Sequence, residues 1–251
     1  MSNKLNGKRV LVTAGAQGIG LAISRALLDR GCNVAVHYFS SADAANELKS
    51  EFGDRVLAFQ ADLTDLDQAK QLVEQSVAGL GGLDILINNA GSLIARKRLD
   101  EIEMDFWQTV IDVNVTSMLN VTKFAAPALR EANGASIVNL ASLAGRKGGH
   151  PGSLAYSTAK GAVLTLTRAM SNELGPDGIR VNALAPGLIL DTNFHNTHTT
   201  KESAAKTVTG IPVGRAGNPD DVAHAAVFLA EQFDGFVAGA TLDINGGVYS
   251  A

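Results

Sequence analysis

Short apolar runs, separated by stretches with helical spacing, dominate the chain. The runs lie at Arg9–Thr13, Asn33–Tyr38, Val56–Ala61, Ile85–Asn88, Ser136–Leu140, Arg180–Leu184 and Thr241–Ile244. Strands buried on both faces of a parallel sheet have this texture, whereas a half-solvated strand alternates apolar with polar. Between the runs, apolar positions recur three and four residues apart, which predicts helices over Ile19–Arg30, Ala42–Phe52, Leu66–Leu80, Met104–Ala132, Ala155–Leu174 and Pro219–Glu231. Strands alternating with helices of this length imply right-handed βαβ units. The expected architecture is α/β: a doubly wound parallel sheet of about seven strands with helices on both faces. Ligands in such sheets bind at the carboxyl ends of the strands.

No linker-like shift in composition interrupts this alternation, so residues 1–251 read as a single domain. A chain of this length buries a large core without disulfides or metals. The single cysteine, Cys32, excludes an internal disulfide and reads as a buried thiol beside a strand start. The formal charge is −4, with 21 basic residues against 25 acidic ones, which disfavours nucleic acid as a partner. The sequence has no apolar leader and no 18-residue apolar run, so no membrane partner is expected and the cytoplasm is the expected location.

Two local patterns carry chemistry. The first strand runs into Ala14-Gly15-Ala16-Gln17-Gly18-Ile19-Gly20 and then an amphipathic helix. Strand, glycine loop and helix form the context of a dinucleotide site, in which Gly18 and Gly20 admit a pyrophosphate to the backbone at a helix N-terminus. Alone, the loop has an ordinary glycine turn as its lesser alternative. Tyr156 and Lys160 are four apart and share one face of a predicted helix. A phenol has an unperturbed pKa near 10, and a nearby ammonium lowers it toward the working range of an acid/base catalyst. Alone, this pair reads as a solvated helix face.

Taken together, these patterns resemble the short-chain dehydrogenase/reductase family, which has a Rossmann-type fold. Thr13–Gly20 is similar to its T-G-x-x-x-G-x-G loop, and Asn88-Asn89-Ala90-Gly91 to its N-N-A-G. Asn114, Ser142, Tyr156 and Lys160 fall where that family has its catalytic tetrad. Pro186-Gly187, Gly214-Arg215, Pro219–Ala223 and Asn245-Gly246-Gly247 are similar to its C-terminal signatures. The resemblance spans roughly residues 5 to 250. Three departures stand out: Ala14 occupies the place of the family's first glycine, Ser142 and Tyr156 are fourteen apart where thirteen is usual, and Thr192 takes the threonine position one residue late.

The resemblance implies hydride transfer between a nicotinamide and a carbonyl/alcohol pair. Tyr156 would be the acid/base, and Lys160 would lower its pKa and hold the nicotinamide ribose. Ser142 would hydrogen-bond the substrate oxygen, and Asn114 would hold a water linking Lys160 to solvent. A strand-end cap for Ser142 and a polar core contact for Asn114 are the alternatives. Cofactor contacts are implied at Gly15, Gln17, Gly18, Ile19, Gly20, Tyr38, Ser40, Ser41, Asp62, Leu63, Asn89, Ala90, Gly91, Tyr156, Lys160, Pro186, Gly187 and Ile189. Asp62 reads alternatively as the N-cap of the next helix. The second strand ends in His37-Tyr38-Phe39-Ser40-Ser41, without the acid that selects a ribose 2′-hydroxyl, and Gly31–Leu48 contain no Arg or Lys. Ser40 and Ser41 suit a phosphate, so NADP(H) is favoured over NAD(H). Relatives are commonly tetramers, so a homotetramer is expected.

Arg96-Lys97-Arg98 and Arg146-Lys147 with His150 are expected to flank the substrate pocket, beneath a polar lid around residues 190–210. Its Asn193–Thr200 stretch contains His195 and His198, but no acid or thiol accompanies them and no metal is expected. The composition suits a small polar substrate: a sugar, sugar acid or hydroxy acid. A solvated surface is the competing reading of these cations. The alternative activity is that of a 3-oxoacyl-[acyl-carrier-protein] reductase, although the places where such members show bases hold Asn133 and Asp177. A non-catalytic dinucleotide sensor is a further rival, and would be expected to have lost the Tyr/Lys pair or Ser142.

Overall fold

In the computed structural model, residues 4–132, 134–192, 197–231 and 235–250 are described. Asn133, and Asn193 to Asn196 with His195 among them, lie outside the described residues. Seven parallel strands form one sheet in the order β3-β2-β1-β4-β5-β6-β7. They are β1 Arg9–Val12, β2 Asn33–Tyr38, β3 Val56–Gln60, β4 Ile85–Asn88, β5 Ser136–Leu140, β6 Arg180–Pro186 and β7 Thr241–Ile244. The order reverses between β1 and β4, which creates the switch point where doubly wound sheets hold ligands.

Side chains alternate across the sheet, and each face builds its own core. Val10, Val12, Val34, Val36, Ile85 and Ile87 point one way. They pack on Ile23 and Leu27 of α1 (Gly18–Leu28), Leu48 of α2 (Ala42–Phe52) and Val222 and Ala226 of α9 (Pro219–Ala230). Leu11, Ala35, Leu86, Ile137 and Val181 point the other way. They meet Leu72 and Val73 of α3 (Leu66–Leu80), Val121 and Leu129 of α5 (Ser117–Arg130), and Met170 and Leu174 of α7 (Leu154–Leu174). Each fully buried Leu or Ile contributes about 1.5–3 kcal/mol. At the amino ends of the strands Asp84 accepts from the Arg9 backbone N–H and Nε at 2.9 and 2.7 Å, pinning β4 to β1 on the side away from the site.

Two differences from the sequence reading have local causes. The single helix expected over Met104–Ala132 is α4 (Met104–Ile111), a π turn (Asp112–Thr116) and α5. Asn114 sits in the π turn and donates Nδ2 to Val110 O at 2.9 Å, a side chain inserted into the backbone ladder. β6 runs two residues past the expected Leu184 because β7 continues to pair there, with Ala185 against Asp243 and Pro186 against Ile244. Two helices carried no periodic signal: α6 (Leu143–Lys147) and α8 (Lys201–Val208). Both are too short for apolar spacing to show.

Candidate active site

The carboxyl ends of β1 and β4 are tied together first. Thr13 Oγ1 accepts the N–H groups of Asn89 and Ala90 at 2.9 and 3.0 Å, and Asn89 Nδ2 donates to the carbonyls of Thr13 and Ala14. A Cβ on Gly20 would collide with Ala14 O and Asn89 Nδ2, so α1 closes on this junction only through glycine. Gly18 takes φ +50° as the first residue of α1. The helix therefore offers its first-turn N–H groups and positive dipole end to the loop's open side.

Past β2, Ser41 gives α2 no side-chain cap; its hydroxyl donates to Gln17 Oε1 at 3.1 Å. Tyr38 ends β2 and Ser40 adjoins this pair. Past β3, Asp62 Oδ1 accepts from Thr64 N–H and Oγ1, while Leu63 is buried in the core. Asp65, not Asp62, caps α3, accepting from Asp67 and Gln68 N–H.

β5 ends in Leu140, and Ser142 follows as the N-cap of α6, its Oγ accepting Ala144 N–H at 3.1 Å. The same side chain hydrogen-bonds Tyr156. Cap and site contact are thus both present, where the residue type alone left them as alternatives. Lys160 lies one turn beyond Tyr156 on α7, is 3% exposed, and donates Nζ to Leu140 O at 2.7 Å. Two glycines seat it: a Cβ on Gly91 would lie 2.9 Å from Nζ, and one on Gly145 would lie 2.5 Å from the Lys160 carbonyl carbon, against the α7 backbone.

The expected lowering of the Tyr156 pKa by Lys160 does not occur in this geometry. Burial pushes the phenol up to about 12, against a downward pull from its hydrogen bond with Ser142. Burial pushes Lys160 down to about 8, and its ammonium, 5.8 Å from the Tyr156 ring centroid, is already held by the Leu140 carbonyl.

Asn114 is fully buried and holds the loop after β4. Nδ2 donates to Ser92 O at 2.7 Å and Oδ1 accepts Ser92 N–H at 3.1 Å. That places Oδ1 2.7 Å from the point where a Gly91 Cβ would sit, with Lys160 Nζ on the same side.

One cavity of about 870 Å³ joins these pieces, near the top of the size range of ligand sites. Gln17, Gly18, Ile19, Asn89, Gly91, Ser142, Tyr156, Lys160, Pro186, Gly187 and Ile189 line it. Gly15, Gly20, Ala90 and Asn114 do not line it; Thr13 and Asn89 anchor Ala90 and Gly20, and Asn114 fixes the loop from behind. Leu188 and Leu190 bond to Gly217, which holds Ile189 buried against the cavity.

The five candidate cations separate. Arg96 and Lys147 line the cavity, as do His150 and His198. Arg146 turns away to Asp243 at 3.1 and 3.2 Å and to the Tyr249 ring; Lys97 lies over the Phe106 ring and pairs with Glu103. The Arg98 backbone N–H donates to Glu101. The sequence shows all five on polar segments, and only the course of the backbone sorts them. No Asp or Glu lines the cavity among the described residues.

Residues without a sequence signal also shape the site. Ser153 and Ser157 donate to His150 O and Gly148 O, stapling the loop in which Gly148, Gly149 and Gly152 all take positive φ. Arg96 reaches His198 O and Pro151 O at 3.3–3.4 Å, joining the lid to that loop. A serine at i and i+4 beside a Gly-Gly turn was the one available hint.

A glycine cradle at the switch point, opening through one cavity onto a Ser/Tyr/Lys cluster, defines a dinucleotide-dependent oxidoreductase. Residues 13–249 match the family model described as "Enoyl-(Acyl carrier protein) reductase". The chain is 37% identical over 250 residues to an uncharacterized oxidoreductase of Methylorubrum extorquens, covering 98% of this chain and 99% of that one. It is 34% identical to the 3-oxoacyl-[acyl-carrier-protein] reductase FabG of Staphylococcus aureus, covering 96% and 98%. A blue fluorescent protein from a metagenomic library, solved in complex with NADPH, superposes with a TM-score of 0.90 at 32% identity, over 98% of this chain and 100% of that one. The chain belongs to the short-chain dehydrogenase/reductase family and is an NAD(P)-dependent oxidoreductase acting on carbonyl or hydroxyl groups.

Proposed function

We propose that this enzyme interconverts the carbonyl and alcohol of a small polar substrate, a sugar, sugar acid or hydroxy acid, with NADP(H) favoured over NAD(H). The observation that carries the reading is the single cavity running from Gln17–Ile19 to Ser142 and Tyr156, with Arg96 and Lys147 on its wall and no lining carboxylate among the described residues. The dinucleotide, when bound, supplies or accepts the hydride. Its pyrophosphate would lie on the Gly18–Gly20 helix start, and its ribose near Tyr156 and Lys160. The absence of an acid after β2 leaves the Ser40 hydroxyl to meet a 2′-phosphate, and the Ser41 hydroxyl could join it by leaving Gln17.

In the reducing direction Tyr156 Oη gives its proton to the substrate oxygen as the carbon gains hydride. Ser142 Oγ donates to the same oxygen and steadies its charge. Lys160, pushed by burial down to about 8, returns a proton to the phenol side of the site. Asn114 holds the loop bearing Gly91 in place against the Lys160 amine.

Reduction of a 3-oxoacyl thioester is the second reading, supported by the likeness to FabG. Asp177, at one place where a carrier-docking base would stand, pairs with Arg130 at 2.7 Å. A homotetramer is also proposed; Leu119 on α5 and Leu154 on α7 are apolar and 47% and 38% exposed. Sedimentation tests it. The activity is tested by following nicotinamide absorbance with hydroxy acids, sugar acids, neutral sugars and 3-oxoacyl thioesters, each with both cofactors. Turnover of thioesters alone would replace the first reading by the second, and turnover of nothing would return the sensor.

A further inference from the structure

One buried group next to the dinucleotide cradle plays no part in the chemistry above. His37 is 2% exposed and points from β2 toward the face carrying Ala35. Its Nδ1 accepts the N–H of Ala14 at 2.9 Å, and its Nε2 lies 3.0 Å from Ala61 O. An amide N–H can only donate, so Nδ1 carries no hydrogen and Nε2 must donate to Ala61. Both contacts are satisfied in one form alone, the neutral ring with its proton on Nε2. The carbonyl of His37 accepts Gly15 N–H at 2.8 Å as well. One residue therefore ties the entry of the glycine loop to the end of β3.

Ala14 is an unusual client. It adopts φ +48°, a conformation that side-chain-bearing residues rarely take and that glycine takes freely. Its carbonyl is gripped from the other side by Asn89 Nδ2 at 3.1 Å and lies directly beneath Gly20. Ala14 also lines the cavity. A shift of its peptide would move the turn that presents the N-terminus of α1 to a pyrophosphate.

We infer that His37 is a positioning residue for dinucleotide binding, its neutral ring holding Ala14 in a left-handed turn that glycine would adopt unaided, so that cofactor affinity falls when the ring is protonated. The charged group that bears on the ring is Asp62, just past β3. Residues 13–20 contain no titratable side chain, and β3 contains none. The one on β1, Arg9, is at the opposite end, paired with Asp84. α3, on the same face, carries Asp67, Lys70 and Glu74 on its exposed side, with Lys70 and Glu74 paired. Burial outweighs the pulls of Ala61 and Asp62, and holds the ring's pKa below the ordinary histidine value. The switch therefore lies on the acid side of that value.

The test measures the dissociation constant of NADH by its fluorescence, from about pH 8 down to about pH 5. NADH has no 2′-phosphate to titrate in this range. The wild type should bind evenly at the upper end and weaken as the pH falls through the ring's pKa. His37→Asn presents an acceptor where Nδ1 stands; it should bind within about twofold of wild type at neutral pH and lose the acid limb. His37→Gln reaches Ala61 but offers Ala14 nothing; it should weaken binding about fivefold at neutral pH, the equivalent of one net hydrogen bond. In an Ala14→Gly background that penalty should shrink, because glycine holds the turn without the prop. Equal losses for Asn and Gln, or an acid limb that survives in His37→Asn, would overturn the inference. If thermal melting shows His37→Gln unfolded, the comparison of wild type with His37→Asn across pH decides it alone.

Discussion

Ser142→Ala separates the chemistry from the scaffold, because one side chain makes two contacts of different kinds. Toward the helix, Oγ accepts Ala144 N–H as the N-cap of α6. Losing a serine cap costs about 1 kcal/mol, and α6 is a five-residue helix at the site's edge, so the melting temperature should fall by a few degrees at most. Toward the cavity, Oγ bonds Tyr156 and pulls the phenol's pKa down against the effect of burial. Removing a donor of this kind from a developing oxyanion costs about 2.7–4 kcal/mol, on the order of a hundred- to a thousandfold in kcat. The substitution should therefore lower kcat by about two to three orders of magnitude with KM for the dinucleotide unchanged, since Ser142 lies beyond the glycine cradle. Steady-state kinetics in the reducing direction, beside a thermal melt, reads both. A loss of kcat under tenfold, or a loss matched by unfolding at the assay temperature, would refute the assignment of Ser142 to the reacting oxygen.

Three more outcomes follow from the same geometry. With Tyr156 pushed up to about 12, the phenol is protonated at neutral pH; alcohol oxidation, which needs the phenolate, should rise steadily through the alkaline range, and a flat oxidation profile would count against Tyr156 as the base. Arg96→Ala should lower kcat/KM for carboxylate-bearing substrates about ten- to a hundredfold, the worth of a charge-assisted hydrogen bond, while sparing uncharged analogues; equal losses for both would leave Arg96 as a structural tie between His198 and Pro151. Asp84→Asn tests the opposite edge of the sheet: burial raises its pKa, but the Arg9 hydrogen bonds and the Lys8 charge outweigh that and hold it below the carboxylate range. Its contribution is complete above about pH 4 and is lost as the pH falls through the lower folded value. The variant should lose roughly 1–3 kcal/mol at neutral pH in urea melts and flatten the acid limb, with kinetics unchanged.

The strands were legible because burial on both faces leaves an unbroken apolar run, and four of the seven, β2, β4, β5 and β7, have the expected ends. β6 outran its run because its last two pairings depend on β7, a partner more than fifty residues away in sequence. The break at Asp112–Thr116 was not legible, because apolar spacing continues through it and the cause is one side-chain bond, Asn114 Nδ2 to Val110 O, that leaves no periodic trace. The cluster of Ser142, Tyr156 and Lys160 was visible as residue types, with Tyr156 and Lys160 at the family spacing and Ser142 one residue further away than usual. Which cations face the cavity was not, since Arg146 and Lys147 are adjacent in sequence and diverge only by the turn of α6. His37 gave no signal at all: a histidine in an apolar strand reads as core until Ala14 is found in a left-handed turn beside it.

Burial displaces the two titrating groups of the site in opposite senses, and that divides their labour. Taking a phenol out of water disfavours its anion, and taking an ammonium out disfavours its cation. Tyr156 near 12 and Lys160 near 8 are both pushed toward their neutral forms by burial. A neutral phenol is ready to give a proton but slow to take one. An amine that titrates close to neutral pH can do either, and its bond to Leu140 O orients it without fixing its charge. On this reading the proton that Tyr156 spends comes back by way of Lys160, and the environment that makes the phenol a donor also makes the amine exchangeable. An exposed pair at the same spacing on α7 would have neither property, so Gly91, which lets the loop lie against the Lys160 amine, serves that pair together with Gly145, which lets α6 pack against the α7 backbone.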